Sequence, residues 1–107
     1  LDGRLDEPAW AAAGRTEPFL ENLSGGAATR GATRARVLWD PSAEGGLYVA
    51  FEVEDRDVWA RDTFRDDVWL PNDEVVELFL DDGGDEVTYY EVEVSPKNVV
   101  YDLFCLI

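Results

Sequence analysis

Apolar and polar residues alternate with period two along most of this chain. That alternation predicts strands, because successive strand side chains point to opposite faces. Over Thr33 to Trp39, Ala35, Val37 and Trp39 share one face and Arg34, Arg36 and Leu38 the other. Over Leu47 to Glu54, Leu47, Val49, Phe51 and Val53 stand opposite Tyr48, Ala50, Glu52 and Glu54. The intervening Asp40-Pro41-Ser42-Ala43-Glu44-Gly45-Gly46 is turn-forming by composition, so the two strands read as a hairpin. A third strand runs from Glu74 to Asp81. Its Val76, Leu78 and Leu80 form an apolar core face, and Val75, Glu77 and Phe79 point outward. Asp82-Gly83-Gly84-Asp85 makes a hairpin loop into a fourth strand, Val87 to Val94. There Tyr90, Val92 and Val94 face one way and Tyr89, Glu91 and Glu93 the other. Ser95-Pro96-Lys97-Asn98 turns the chain into a last, very apolar strand, Val99 to Ile107.

Three segments lack this period. Asp6 is placed to cap a short N-terminal helix with Pro8 in its first turn, Trp10 as a core anchor and Gly14 as its end. Thr16 to Gly31 is irregular, docked locally by Phe19 and Leu20. Asp55 to Asn72 is a long charged connection that carries Asp55, Asp57, Asp62, Asp66 and Asp67 beside Arg56, Arg61 and Arg65. Long loops of this kind are often functional. Five strands in a meander with one short helix give an all-β domain, an antiparallel β-sandwich of jelly-roll type. Its second sheet requires strands beyond residue 107, and the chain stops inside an apolar strand pattern. Residues 1–107 are therefore expected to be a single domain, truncated at its C-terminus. Trp39 is expected in the core, and Trp59 is expected to pack beside Val58.

Charge narrows the function. Among 107 residues, 24 are acidic and 9 basic, a net charge of -15. Nucleic-acid affinity comes largely from Lys and Arg on phosphates, so nucleic acid is not an expected partner. The same balance argues against anionic membrane surfaces. No run approaches the ~18 apolar residues of a membrane span. Bound calcium is compatible with so many carboxylates, although the acidic loop lacks EF-hand spacing. Histidine is absent, so Ser-His-Asp and Cys-His sites cannot be built. The single cysteine, Cys105, allows no internal disulfide and reads as a small buried hydrophobe. No nucleotide-binding glycine motif is present. Carboxylates are too abundant for any pair to signal glycoside hydrolysis. The chain is expected to be non-catalytic.

One stretch, Asp66 to Asp81, combines an acidic loop bearing Trp69 with the strand bearing Glu77. Trp69 sits among charged and turn residues, outside any alternating apolar run. Two readings stand side by side. In the plain one, Trp69 covers an end of the sandwich and Glu77 simply faces solvent. In the functional one, the indole is a platform for the C–H face of a sugar and the carboxylate accepts from its hydroxyls. Tyr89, on the outward face of the neighbouring strand, joins Trp69 and Glu77 in the candidate ligand-binding set.

Four blocks, in order, resemble the family 9 carbohydrate-binding modules and their relatives. They are Leu1-Asp2-Gly3-Arg4-Leu5-Asp6-Glu7-Pro8-Ala9-Trp10; Arg36-Val37-Leu38-Trp39-Asp40 with Leu47-Tyr48-Val49-Ala50-Phe51; Asp73 to Asp81; and Tyr89 to Pro96 with Asn98 to Leu103. The resemblance is nearest to the large family-9-like group of bacteria. It implies an antiparallel β-sandwich that binds saccharides, often with structural calcium, and that holds an attached catalytic or envelope domain near polysaccharide. It further implies an extracellular, periplasmic or cell-envelope location. Trp69 matches one side of the family's aromatic clamp, with about two more residues before the strand, and Glu77 matches its sugar-bonding glutamate. Glu93 stands where the family places an arginine that contacts the sugar, which makes it the fourth candidate ligand-binding residue, and the second clamp tryptophan belongs to a later part of the family's length. The alternative is a structural or interaction sandwich that binds no sugar, which the Glu93 departure favours.

Overall fold

Two three-stranded antiparallel sheets and one short helix make up the computed structural model, which describes residues 2–28 and 30–107. Leu1, in the family-like opening block, and Thr29, in the segment expected to be irregular, lie outside the described residues. The chain divides into two units, Leu1–Arg56 and Asp57–Ile107, each built on one sheet.

In the first unit, helix α1 (Pro8–Ala11) precedes β1 (Gly14–Arg15), β2 (Thr33–Trp39) and β3 (Leu47–Val53), and β2 lies in the middle. The expected hairpin forms in register from Thr33↔Val53 to Trp39↔Leu47. The helix is shorter than expected. Its N-cap is Glu7 rather than Asp6 and offers no side-chain cap, and it ends at Ala11, leaving Gly14 to begin β1. Trp10 is 4% exposed and is the anchor the sequence predicts. Its carbonyl accepts from Arg36 Nη1 at 3.1 Å. Arg36 also grips Glu52 with two parallel bonds of 3.1 Å, and Arg15 Nε adds a third at 2.9 Å. Bidentate guanidinium–carboxylate pairing of this kind fixes geometry as well as charge. The Arg36 guanidinium, with Arg15 behind it, holds the Glu52 carboxyl below its ordinary range.

Trp39 is not in the core: it is 68% exposed. Alternation assigned its face correctly, but cover does not extend along the whole strand. At the Ala35 end, Phe19 sets its ring edge-on against Phe51, the register partner of Ala35, at 6.4 Å, and Ala35 is buried. Toward Trp39 that cover runs out. Leu20, expected to dock the preceding segment, is exposed as well. Gly31 sits at φ 140°, and a Cβ there would lie 2.0 Å from the Glu54 carbonyl oxygen, so only glycine fits.

In the second unit, β4 (Val76–Leu80), β5 (Thr88–Val94) and β6 (Val100–Leu106) form the sheet, with β5 central. The three strands are slightly shorter than expected because their flanks are held in turns. Asp81 accepts from the amides of Gly84 and Glu86, and Asp85 accepts from those of Val87 and Thr88. At the other hairpin, Ser95 is buried, its amide donates to the Val99 carbonyl at 3.0 Å, and Asn98 takes φ 59°. A single 3-10 turn, Leu70–Asn72, lies in the connection that the sequence left without structure, and Leu70 is wholly buried. Val76, Leu78 and Leu80 are half-buried and Glu77 and Phe79 exposed, as period two requires. The last strand is not the covered apolar strand its composition predicts. Phe104 packs on the Tyr90 ring at 5.1 Å, while Leu106 and Ile107 remain exposed. Trp59 and Val58 are also exposed rather than packed on one another, and Cys105 is only half-buried.

Candidate functional site

Strand alternation and register decide which side chains share the outward face of the second sheet. Glu77 and Phe79 come from β4. Tyr89, Glu91 and Glu93 come from β5, and Tyr101, Leu103 and Cys105 from β6. Glu77 stands directly across from Glu93, Phe79 across from Glu91, and Tyr89 across from Cys105. Directly paired residues on one face have Cβ atoms about 5 Å apart, so these groups act on one another.

Three of the four sequence candidates thus lie on one face. Glu77 is exposed. Tyr89 is half-buried, with its ring 5.8 Å from that of Phe79 at an interplanar angle of 57°. Phe79 and Tyr89 line a cleft of about 380 Å³ with Asp81, Glu86, Thr88 and Ile107. Glu93 differs from the expectation of an outward, reachable group: it is 2% exposed. Alternation gives the face of a residue, not its depth, and Glu93 lies on the central strand with β4 and β6 on either side.

The electrostatics of this face follow from that depth. Burial first, then the charge of Glu77, then a hydrogen bond with Glu91 and its charge, push the Glu93 carboxyl up to about 7. Glu93 Oε2 has no hydrogen-bond partner and is shielded from solvent. Glu91 Oε2 accepts from the Cys105 thiol at 3.9 Å. Cys105, through a hydrogen bond and its charge, then burial and the charge of Glu91, hold the Tyr89 phenol above its usual range. Glu77, Glu93, Glu91, Cys105 and Tyr89 therefore make one continuous polar stripe. Sequence reasoning left Phe79, Glu91 and Cys105 outside the candidate set, although alternation with Glu77 and Tyr89 already placed all three on this face.

Trp69 belongs to the loop before β4 and is 64% exposed. Its backbone is firmly held. The amide donates to Asp67 Oδ1 at 3.0 Å, and the carbonyl accepts from Arg61 Nη2 at 2.7 Å and from Asn72 Nδ2 at 3.3 Å. Arg61 is itself fixed by Asp73, whose side chain is fully buried and accepts from Arg61 Nε at 2.5 Å and from the Arg61 amide at 3.0 Å. A hydrogen bond from Thr63, then the Trp69 amide, hold Asp67 below the usual carboxylate range. The indole is a bare apolar surface on a braced support. Trp69 lies outside the strand ladder that brings Glu77, Glu93 and Tyr89 onto one face.

Four aspartates of this segment are engaged by groups of their own chain. Asp62 takes Lys97, Asp66 takes Arg65, and Asp67 and Asp73 take the partners just named. Among the described residues no group of three or more Cys, Asp or Glu side chains could hold a metal ion. Among those residues, too, no helix is long and apolar enough to cross a membrane.

The model of the family described as carbohydrate family 9 binding domain-like matches residues 1–103. No curated protein matches the chain, and no solved structure does.

Proposed function

The chain belongs to the carbohydrate family 9 binding domain-like family, and from that premise we propose that it is a non-catalytic module that binds a saccharide. The observation that carries this reading is the pairing of an exposed, backbone-braced Trp69 with an acceptor-rich sheet face in the same unit. Trp69 offers an apolar platform. Glu77 accepts ring hydroxyls, and Phe79 and Tyr89 offer aromatic surface to the C–H face of a sugar. Glu93 stands beside Glu77 in the β4–β5 register. The absence of histidine among its residues agrees with a binding role rather than catalysis.

In this reading the module tethers an attached catalytic or envelope domain to polysaccharide, outside the cell or in its envelope. Isothermal titration against soluble β-linked oligosaccharides tests it. Binding that is lost in Trp69→Ala and Glu77→Ala, with the fold retained by circular dichroism, is the expected result. A flat titration with the folded chain favours instead an interaction domain that binds no sugar.

A further inference from the structure

The outward face of the second sheet carries Glu77, Glu91 and Glu93 and no cation. All three basic residues of 57–107 are engaged elsewhere: Arg61 with Asp73, Arg65 with Asp66 and Asp102, and Lys97 with Asp62. Ionised carboxylates only accept hydrogen bonds. The stripe therefore holds a surplus of acceptors, relieved within the chain by the weak Cys105 thiol on Glu91 and by the contact between the Glu93 and Glu91 carboxyls.

The second observation is Glu93 itself. It is only 2% exposed, and its Oε2 is unpartnered and out of water's reach. A buried polar oxygen without a partner is costly, and native structures hold few of them. Glu93 is the register partner of Glu77 and shares its face with Glu91, so its carboxyl lies within the acidic stripe. Glu77 is exposed and Glu91 half-buried, so the stripe can be approached from solvent. The rings of Phe79 and Tyr89 border it.

A neutral hydroxyl would supply one donor and leave the charges of Glu77 and Glu91 in place. A protonated amine supplies three donors and a positive charge together, and it is also attracted to the faces of aromatic rings. We propose that the saccharide bound at this face carries a primary amine, which sits against Glu77 and Glu91 with the unpartnered oxygen of Glu93 beneath it. This rests on the saccharide-binding reading above and names the chemical class of the sugar. The bulk negative charge of the chain attracts any cation at long range; the stripe adds a local, directional site.

The test compares three tetrasaccharides with the same β-1,4 linkage that differ only at C2: glucosamine, N-acetylglucosamine and glucose. Titrations use the intact chain at neutral pH and physiological salt. The glucosamine tetramer is expected to bind at least about tenfold more tightly than either neutral one, the scale of one or two charge-assisted hydrogen bonds. Glu77→Gln and Glu91→Gln should each weaken the glucosamine tetramer far more than the glucose tetramer, so that most of the preference is lost. Glu44→Gln, which removes the same charge from the exposed turn of the other unit, should leave the preference intact. Equal binding of all three sugars overturns the proposal and leaves the saccharide reading standing. An equal loss in Glu44→Gln overturns it in favour of bulk charge. No binding of any sugar removes both.

Discussion

Glu77 and Glu93 face each other across the β4–β5 ladder, yet one is exposed and the other almost completely buried. Two like charges placed directly opposite destabilise a sheet. The structure meets that cost by holding the buried member protonated near neutral pH. Glu93 has a folded pKa of about 7 against an ordinary value of 4.5, so between those values the folded state binds a proton that the unfolded chain has lost. Its contribution to stability is therefore complete at low pH and is lost as pH rises through that interval. The loss is at most about 1.4 kcal/mol for each pH unit crossed.

Glu93→Gln should therefore stabilise the chain at about pH 8 and change it little at about pH 5, because the amide mimics the protonated acid without the ionisation penalty. Urea denaturation at the two pH values measures this. A gain of the same size at both would show that the carboxyl does not titrate in that range.

Acid should act in the opposite direction on other groups. Glu52, Asp62, Asp67 and Asp85 are all held below their ordinary pKa values, by Arg36, Lys97, Thr63 and the Thr88 amide in turn. Each contributes stability that is present above its unfolded pKa and is lost as pH falls through the folded one. Stability should peak in the mildly acidic range and fall on both sides, and Glu93→Gln should flatten the alkaline side only.

The hairpins were legible in the sequence because two independent signals agreed. Alternation supplied the faces, and Asp, Gly and Pro clusters supplied the turns. Depth was not legible. Trp39 and Glu93 lie on the faces that alternation assigned, but the aromatic is open and the acid is buried, since depth depends on what lies over each end of a strand. Gly14–Arg15 is too short to show any period. In the acidic loop the sequence leaves two roles open, because aspartate is both a calcium ligand and an acceptor for free backbone amides, and Asp67 serves in the second role.

Trp69→Ala should lower saccharide affinity by roughly tenfold or more, the usual cost of truncating an aromatic anchor, without a matching fall in melting temperature. The indole is largely exposed and the loop is held by its backbone. Titration and thermal melting of the same variant separate the two effects. A large fall in melting temperature would mean that the ring is structural.

Trp10→Ala should behave in the reverse manner. Truncating a buried tryptophan costs about 3–5 kcal/mol, a large share of the stability of a domain this size. Gly31→Ala should also destabilise, since its Cβ would collide with the Glu54 carbonyl in a backbone conformation already strained for an L-residue. Both are measured by denaturant midpoint.

Addition of a calcium chelator should leave the melting temperature unchanged, because the acidic side chains of the long loop already have donors from their own chain. A drop on chelation, reversed by calcium, would show that a metal displaces those partners.

The same seven residues of β5 make both the acidic stripe and the apolar face behind it. A slip of one position against β4 or β6 would exchange the two, sending Glu91 and Glu93 into the company of Val76 and Leu78. The carboxylates therefore work as a key to strand pairing before any ligand arrives. Misaligned pairings are rejected because they would strand charge among aliphatic side chains, and the groups proposed to recognise a sugar are also those that allow the sheet only one alignment.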